Sequence, residues 1–417
     1  MLNKFFKSAD KKQAISWSLY DFANSTVTII IISFIFPIFF KEVIAGPKTG
    51  DFWWGFAVTI STVLGGILTP VIGAISDYTK RKKLKFALFV LLSAVATAGL
   101  YFTGPSTLLL GLFLFIILNV FFEIAQTIYD SFLIKVSTKE TIGRISGLGW
   151  GLGYLGGVIA LILLKPLYGG GFEGGFESLY KLAFPLTALF FLIFSIPIFL
   201  FLKENKAPSK KEKIFTIIKT GLQKNLKTLK EIKKHKQIFL FLLGWFILND
   251  ALVTVFSFVP IYAKTTLALS LLEITKFVII VQIVGFPSTL FFGWLSDKQG
   301  YKKILLLTIF IWTIAVLIGT LATSTTVFYI ATILMGLVMG ASQATARSWF
   351  SVIIPKKKFN EFFGFNGFSS KISAIFGPII FGTISVLTGN QRIAMASLIP
   401  YFLIAFIIFY KIKEKPV

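Results

Sequence analysis

Long apolar runs separated by short polar stretches dominate this chain of 417 residues. Each run is close to the length that crosses the hydrocarbon core of a bilayer as a helix, which is about 20 apolar residues. The pattern therefore predicts twelve membrane-spanning helices. Their approximate bounds are 14–40, 52–76, 86–102, 106–134, 144–165, 180–202, 237–262, 272–296, 303–321, 326–347, 362–387 and 393–411.

Two polar loops, one after the second predicted segment and one after the eighth, resemble each other in sequence. A glycine, a serine, an aspartate and a final pair of lysines align at a constant offset of 220 residues, about half of the chain. A repeated six-helix unit is a recognised plan of membrane transporters. The sequence predicts an all-α integral membrane protein with twelve transmembrane helices in two six-helix pseudo-repeats, residues 1–202 and 237–417, joined by a linker at 203–236.

Each part of this repeated loop has a physical task in the predicted fold. The glycine is expected to let neighbouring helices approach closely. The aspartate is expected to close a helix end, opposite a positive helix terminus or an arginine. Breaking and remaking such contacts would open and close a path through the protein. The gating candidates in the two loops are Gly73, Asp77 and Arg81, and Gly293, Asp297 and Lys302.

The chain carries 42 basic and 18 acidic side chains, for a formal net charge of +24 at pH 7. With the N-terminus inside, 34 of the 42 basic residues lie on the inner side and seven lie in the opposite loops. An excess of Lys and Arg in cytoplasmic loops sets membrane topology, whereas a nucleic-acid-binding protein concentrates such charge on a soluble face. The predicted localisation is the cell (inner) membrane, with both termini cytoplasmic and no nucleic-acid partner.

The linker 203–236 carries 12 lysines, and apolar residues recur in it at intervals of three or four positions. This pattern predicts a basic amphipathic helix that lies on the cytoplasmic leaflet. We favour a tether that joins the two halves, and a lipid-sensing or partner-binding role stays open.

Composition narrows the class of protein further. Charged residues make up 14% of the chain and hydrophobic residues 55%, against about 25% charged residues in soluble domains. Cysteine is absent and the single histidine, His235, lies in the linker, so we expect no metal site. Gly151 to Gly156 matches the dinucleotide fingerprint Gly-x-Gly-x-x-Gly, but inside a membrane segment these glycines favour helix packing. We therefore expect no cofactor and no enzymatic activity.

The two repeated loops resemble the signature between helices 2 and 3 of the major facilitator superfamily, Gly-x-x-x-Asp-Arg/Lys-x-Gly-Arg-Arg/Lys. The second copy departs from it only at Tyr301. The first copy has Tyr78 and Lys80 where a basic residue and a glycine are usual. The resemblance implies the major facilitator fold, in which helices 1, 4, 7 and 10 line a central cavity.

A second group of motifs is similar to the fungal vacuolar amino-acid effluxers of autophagy and their bacterial relatives. The motifs are Trp17-x-x-Tyr20-Asp21-x-Ala23-Asn24-Ser25, the glycine-rich run from Ser146 to Gly157, Asn249-Asp250, Gln343-Ala-x-Ala-Arg347-Ser348, and Glu361-Phe-Phe-Gly-Phe365 followed by Lys371, Gly377 and Pro378. The resemblance implies amino-acid efflux for the fungal members and leaves the substrate of bacterial-type relatives open. The run from Ser373 to Pro378 also resembles, loosely, an antiporter motif of the superfamily, which slightly favours export.

Polar and ionisable residues inside predicted spans are costly, and they mark sites or pathways by default. The candidates for substrate binding and proton coupling are Asp21, Asn24, Glu123, Gln126, Asp130, Asn249, Asp250 and Lys371. Arg347 is a further gating candidate, and so is Arg144, which is also the candidate partner of Asp21.

Counting along each helix at about 1.5 Å per residue separates these candidates by depth. Glu123, Asp250 and Lys371 fall near the middle of the bilayer, whereas Asp21 and Asp130 fall nearer the inner mouth. We therefore favour the middle three for binding and coupling. A purely structural ion pair of Lys371 with Asp250 or Glu123 is an equal alternative.

We expect a secondary active transporter that works by alternating access, is coupled to protons and moves a small solute such as an amino acid, with export slightly favoured. An exporter of lipids or amphiphilic drugs is the alternative, and it predicts a cavity lined by the 48 Phe. A non-transporting receptor or scaffold is less favoured, because it has no need of costly charges in the middle of a bilayer. The expected partners are a small-molecule substrate, protons and the lipid bilayer, and the chain is expected to act as a monomer.

Overall fold

The computed structural model describes residues 10–78, 82–137, 142–172, 175–203, 230–355 and 359–413. Within those ranges every regular element is a helix, and 12 helical stretches are long and apolar enough to cross a membrane. The predicted all-α fold with twelve spans is confirmed. Spans 1 to 12 are Lys11–Ile44, Gly50–Leu68, Lys82–Phe102, Leu108–Asp130, Leu148–Tyr168, Glu177–Phe201, Lys236–Thr265, Leu271–Ser296, Tyr301–Leu321, Thr325–Phe350, Phe365–Thr388 and Gln391–Lys411.

Several helices extend beyond their apolar span or consist of two pieces. The helices that carry spans 2, 5, 8 and 10 are Gly50–Tyr78, Ile142–Tyr168, Leu271–Gln299 and Thr325–Ile353. Span 3 consists of Lys82–Gly99 and a 3-10 turn at Leu100–Phe102, span 6 of Glu177–Lys181 and Ala183–Phe201, and span 12 of Gln391–Ala396 and Ile399–Lys411. A short helix, Leu133–Val136, follows span 4.

Polar side chains cap the first turns of several helices. The Asp10 carboxylate accepts from the backbone N–H groups of Lys12 and Gln13 at 3.1 and 3.2 Å, where span 1 begins. Ser270 and Glu273 form a capping box at the start of span 8. Such oxygens satisfy N–H groups that have no carbonyl partner within the helix. The side chain of Gln13 also donates to Asp10, and this bond holds the pKa of Asp10 below its ordinary value.

Span 1 is not a uniform α-helix. Its α-helix Lys11–Val27 passes into a π-helical segment, Thr28–Ser33, which is followed by α-helix Ile35–Phe39 and a second π-helical segment, Phe40–Ile44. Pro37 has no N–H to donate to the carbonyl four positions earlier, which is where the first π-helical segment ends. π-Helical turns are rare and frequently occur at functional sites. The hydrophobic pattern predicted the span but not these changes in helix type.

Span 11 is interrupted in its middle. Helix Phe359–Ser373 ends there, and helix Phe376–Thr388 begins after two turn residues. Pro378 is the third residue of the second helix, where its missing N–H costs no helical hydrogen bond. The sequence predicted one continuous segment at 362–387, because apolar residues continue through the break.

The Cα packing divides the chain into two compact units. Unit 1 comprises Met1–Ala45 and Leu64–Gly221, and unit 2 comprises Gly46–Val63 and Leu222–Val417. The first part of span 2 therefore packs with unit 2, and the same helix continues into unit 1. The predicted domain bounds stay a prediction, and linker residues 204–229 lie outside the described residues.

In unit 1, two hydrogen bonds hold the end of span 6. Lys83 Nζ, at the start of span 3, donates to the Leu202 carbonyl at 2.8 Å. The backbone N–H of Lys203 donates to Gln13 Oε1 at 3.0 Å, in the first turn of span 1. The Lys83 ammonium thus binds one of the last carbonyls of span 6, which have no partner within the helix. The Gln13 amide binds the backbone N–H of the residue that follows.

In unit 2, the same pair of bonds holds the end of span 12. Lys302 Nζ donates to the Ile412 carbonyl at 2.8 Å, and the backbone N–H of Lys413 donates to Gln237 Oε1 at 2.9 Å. Helices one, three and six of each half are joined in this way, which agrees with the confirmed six-helix pseudo-repeat. Lys302, a gating candidate, therefore also stabilises the end of span 12.

Glycines bring span 5 close to span 1. A Cβ atom added at Gly156 would lie 2.2 Å from the carbonyl oxygen of Phe22, and one added at Gly153 would lie 2.8 Å from Ser25 Oγ. The predicted packing role of these glycines is confirmed. Among the described residues, no atom lies within 4 Å of a Cβ added at Gly293 in the second repeated loop. The role of Gly293 stays a prediction.

Gly156→Ala is expected to lower the thermal stability of the protein. The new methyl group would meet the backbone of Phe22, which cannot yield without a shift of span 1, and such overpacking costs about 1–3 kcal/mol. Thermal unfolding in detergent measures the effect. Gly367→Ala is the matched control, because Gly367 is also helical but no described atom lies within 4 Å of an added Cβ. Equal losses in the two variants would contradict the packing role.

Candidate functional site

Four polar side chains of spans 1 and 4 form a connected chain of hydrogen bonds within unit 1. Asn24 Nδ2 donates to Asp21 Oδ1 at 3.2 Å and to Gln126 Oε1 at 2.8 Å. Gln126 Nε2 donates to Asp130 Oδ1 at 3.2 Å. Asn24 is buried, Asp21 and Gln126 are half-buried, and Asp130 is exposed at the end of span 4. These four residues are the unit 1 polar cluster.

Helical spacing places these side chains on facing surfaces. Asp21 and Asn24 are three residues apart, and Gln126 and Asp130 are four apart, so each pair lies on one face of its helix. The Asn24 amide donates to the Asp21 carboxylate at one end of the cluster, and the Gln126 amide donates to the Asp130 carboxylate at the other end. Ionised carboxylates and amide oxygens only accept hydrogen bonds. The cluster therefore suits a group that donates them, such as an ammonium, and either carboxylate can instead bind a proton.

An aromatic layer beside the cluster joins the same two spans. Trp17 Nε1 donates to the carbonyl oxygen of Tyr129 at 3.1 Å, and their rings stack with centroids 4.5 Å apart. The Tyr20 ring lies 4.6 Å from the Tyr129 ring, and all three side chains are buried. The layer fixes the register of spans 1 and 4, and therefore the separation of their polar side chains.

Span 5 reaches the cluster at Gly149. A Cβ added there would lie 2.3 Å from Asp21 Oδ2 and 3.1 Å from the indole of Trp17. Only a residue without a side chain leaves room for the carboxylate at this point. Arg144, the candidate partner of Asp21, lies on the same helix, and its side chain is outside the described part of the structure.

Glu123 is half-buried on span 4, three residues before Gln126. Its Cβ lies 3.7 Å from the position that a Cβ on Gly65 would take, so it faces span 2 within unit 1. Its backbone carbonyl accepts from Thr127 Oγ1 at 3.0 Å. Glu123 therefore extends the polar residues of span 4 toward the middle of the helix.

In unit 2, polar side chains of span 7 bind the first helix of span 11. Asn249 Nδ2 donates to the Ser370 carbonyl at 2.9 Å and to Ser373 Oγ at 2.8 Å. Trp245 Nε1 donates to Ser370 Oγ at 2.7 Å. Ser370 and Ser373 lie in the last turn before the break, so these bonds hold the end of that helix.

Asp250 lies at the break in span 11. Its side chain is 2% exposed, and Oδ1 accepts from the backbone N–H of Gly377 at 2.8 Å, in the first turn of the second helix. Lys371 lies in the last turn of the first helix. A carboxylate at a helix N-terminus and a cation at a helix C-terminus both complement the helix dipole. The predicted ion pair between Lys371 and Asp250 or Glu123 stays a prediction.

The remaining gating candidates are only partly described. Gly73 and Asp77 lie on the helix that carries span 2, and Asp297 lies on the helix that carries span 8, but their side chains are outside the described part. Arg81 lies outside the described residues. Arg347 is exposed on span 10. Their roles in gating stay predictions.

The two tryptophans that brace these sites were not selected as site residues from the sequence. Trp17 stands four residues before Asp21, and Trp245 stands four residues before Asn249. In the first helix of each half, a tryptophan therefore lies four residues before a candidate polar residue, and this equal spacing could have identified both tryptophans from the sequence. Among the described residues, no group of three or more His, Cys, Asp or Glu is placed to hold a metal ion.

The twelve-span helical fold is shared with solved structures of membrane transporters. A crystal structure of a mutant of the nucleoside transporter NupG has a TM-score of 0.74 and 12% identity, and the match covers 96% of this chain and 100% of that chain. A bacterial homolog of the human lysosomal transporter Spinster, inward-facing and occupied, has a TM-score of 0.69 and 13% identity over 97% of this chain and 98% of that chain. At such identities the likeness shows the fold alone.

Sequence comparison gives the family. Residues 55–415 match the family described as "Vacuole effluxer Atg22 like". An uncharacterized MFS-type transporter of Bacillus subtilis, YxiO, is 30% identical over 414 residues, which is 97% of this chain and 95% of that protein. Autophagy-related protein 22 of Kluyveromyces lactis is 24% identical over 393 residues, which is 85% of this chain and 78% of that protein. The chain belongs to the family of Atg22-like vacuole effluxers, and it is a multi-pass membrane protein.

Proposed function

We propose that the chain is a secondary active transporter that works by alternating access, couples transport to protons and exports a small solute such as an amino acid. The observation that carries the proposal is the unit 1 polar cluster, in which two amides join the half-buried carboxylate of Asp21 to the exposed carboxylate of Asp130 at the end of span 4. Charged groups within a bilayer are expensive and typically belong to substrate or proton pathways. The description of the family as vacuole effluxers supports export.

We place proton coupling at Asp21 and Asp130, with Glu123 as an extension of the same site. The sequence favoured the mid-membrane residues, including Asp250. The hydrogen bond from Gly377 to the Asp250 carboxylate supports a structural task for Asp250 at the helix break. The amides between Asp21 and Asp130 hold the two carboxylates in one hydrogen-bonded network, so protonation of one carboxylate would change the hydrogen bonds that reach the other.

The chemistry of the cluster supports a substrate that carries a protonated amine. An ammonium group has three donors and no acceptor, which complements a cluster whose ends are carboxylates. Its charge is opposite to that of Asp21 and Asp130. An amino acid has such a group, and this agrees with the resemblance to amino-acid effluxers.

We propose further that the protein acts as a monomer in the cell membrane with both termini in the cytoplasm. The concentration of 34 of the 42 basic residues on the side of the N-terminus supports this orientation. A reporter fused after Val417 should be active inside the cell and inactive outside it. Activity on the outer side would reverse the assignment.

Counterflow in proteoliposomes tests the proposed function. Vesicles with the purified protein are loaded with a pooled amino-acid mixture, and entry of the labelled mixture is followed at two pH values on either side of neutrality. We expect accumulation of at least one amino acid, with a rate that depends on pH. A nucleoside pool is the comparison arm, because a protein of this fold is a nucleoside transporter. Accumulation of neither pool would overturn the proposal in favour of an exporter of lipids or amphiphilic drugs.

A further inference from the structure

A buried carboxylate lies at the start of span 2, among the residues that pack with unit 2. Asp51 is the second residue of the helix and its side chain is 4% exposed. Its Oδ2 accepts from Ser385 Oγ on span 11 and from Gln391 Nε2 on span 12, the latter at 2.7 Å. A charge this deeply buried is retained only where its hydrogen bonds compensate the loss of water.

Gln391 extends this network to span 7. Its side chain is 7% exposed, and Oε1 accepts from Thr265 Oγ1 at 2.5 Å and from Thr266 Oγ1 at 2.6 Å. One end of the Gln391 amide therefore donates to Asp51, and the other end accepts from the last residues of span 7. Spans 2, 7 and 12 meet at this side chain, and span 11 joins the same network through the bond from Ser385 to Asp51, at the membrane end opposite to the chain's N-terminus.

Close backbone packing surrounds the network. A Cβ added at Gly55 would lie 2.3 Å from the carbonyl oxygen of Pro378, and one added at Gly382 would lie 2.4 Å from the carbonyl oxygen of Asp51. Glycines on span 2 and on span 11 thus allow the two backbones to touch. The bond from Gln391 and the packing act over the same short stretch of span 2.

Deeper along span 2, two further hydrogen bonds hold it to unit 2. Trp54 Nε1 donates to the Ser257 carbonyl at 3.1 Å, and Thr59 Oγ1 donates to the Ile375 carbonyl at 2.8 Å, at the break in span 11. Trp54 is fully buried and Ser257 is 4% exposed. Both bonds end on backbone carbonyls, so substitution cannot exchange their donor and acceptor. The bond between Asp51 and Gln391 joins a carboxylate and an amide, and there substitution can exchange the two roles.

The same helix continues into unit 1 from Leu64. Span 2 can therefore move with unit 1 as one rigid helix only if residues 46–63 leave unit 2. We propose that Asp51 and Gln391 form a latch that holds the first half of span 2 on unit 2, and that each transport cycle opens and closes this latch. The existence of the latch is independent of the proposed function. Its opening in every cycle rests on alternating access.

The absence of cysteine in the chain gives a clean experiment. Ser257→Cys places a single thiol at a buried site beside Trp54, without removing the carbonyl that Trp54 binds. The rate at which a small hydrophilic thiol reagent labels this position reports how often the first half of span 2 leaves unit 2. The measurement needs no substrate, so it is independent of whether transport is observed.

Gln391→Glu should open the latch, because two carboxylates would then face each other in a buried position. We expect labelling at position 257 to become at least about tenfold faster, which corresponds to about 1.4 kcal/mol. In the double variant Asp51→Asn with Gln391→Glu, the side chain at position 51 carries the amide donor and the side chain at position 391 carries the carboxylate acceptor. The combined length of the two side chains is unchanged, so the hydrogen bond forms again in the opposite direction. This double variant should label within about twofold of the parent protein.

Two results would overturn the latch. One is an unchanged labelling rate in folded Gln391→Glu, and the other is a double variant that labels as fast as the single one. If Gln391→Glu does not fold, Gln391→Met replaces it, because methionine has a similar shape but forms neither bond; an unchanged rate there contradicts the proposal equally. Failure of amino-acid counterflow with normal labelling responses would reject only the proposed function.

Discussion

Asp250→Ala is expected to destabilise the protein far more than Asp250→Asn. The Asp250 side chain accepts from the backbone N–H of Gly377 at the start of the second helix of span 11, and it is 2% exposed. Alanine leaves that buried N–H without its acceptor, which costs about 1–3 kcal/mol, whereas asparagine keeps an oxygen at the same place. Thermal unfolding of the two variants in detergent measures the difference.

The same pair of variants separates a structural role of Asp250 from proton transfer. If its task is to cap the helix, Asp250→Asn should retain pH-dependent counterflow, and Asp250→Ala should lose activity together with stability. A folded Asp250→Asn protein whose counterflow no longer responds to pH would contradict the capping role. That outcome would return proton coupling to the mid-membrane residues that the sequence favoured.

The number of spans was predictable because each span is an apolar run long enough to cross a bilayer. The internal repeat was predictable from the loops that contain Asp77 and Asp297. The structure adds a pair of hydrogen bonds that recurs at the ends of spans 6 and 12, formed by Lys83 in one half and Lys302 in the other. Those contacts link helices far apart in sequence, and no local pattern shows them.

Changes inside a span were not predictable from hydropathy. The break in span 11 separates Ser373 from Phe376, and apolar residues such as Ile372 and Phe376 lie on both sides of it. What stabilises the break is Asp250 on another span. The packing of residues 46–63 with unit 2 likewise depends on partners such as Gln391, more than 300 positions away in the chain.

The candidate site was predictable as a set of residues but not as an arrangement. Asp21, Asn24, Gln126 and Asp130 were selected because polar groups in a span are costly, and helical spacing put each pair on one face. The predicted depth in the bilayer then favoured Glu123, Asp250 and Lys371 for coupling. The bond from Asn24 to Gln126 crosses from span 1 to span 4, and only the packing of those spans reveals that the two pairs form one network.

Asp21→Asn is expected to reduce counterflow at least tenfold and to remove its dependence on pH. The substitution keeps the size of the side chain beside Gly149 and allows one oxygen to accept from Asn24, so the helices should pack as before. It removes the negative charge and the titrating group at one end of the cluster. A tenfold loss corresponds to about 1.4 kcal/mol, which is within the range of a hydrogen bond to a charged group.

Asp10→Asn is the matched control on the same helix. The hydrogen bond from Gln13 lowers the pKa of Asp10, so its capping contribution is present above the ordinary carboxyl pKa and is lost only as the pH falls through its lower, folded-state value. Asp10 therefore stays ionised in both assay buffers, and its replacement should leave the pH response of counterflow intact. A similar loss of pH response in both variants would mean that the effect of Asp21→Asn is not specific to the cluster. Full activity and pH response in Asp21→Asn would place coupling outside the cluster, and Glu123→Gln would then be the next variant to measure.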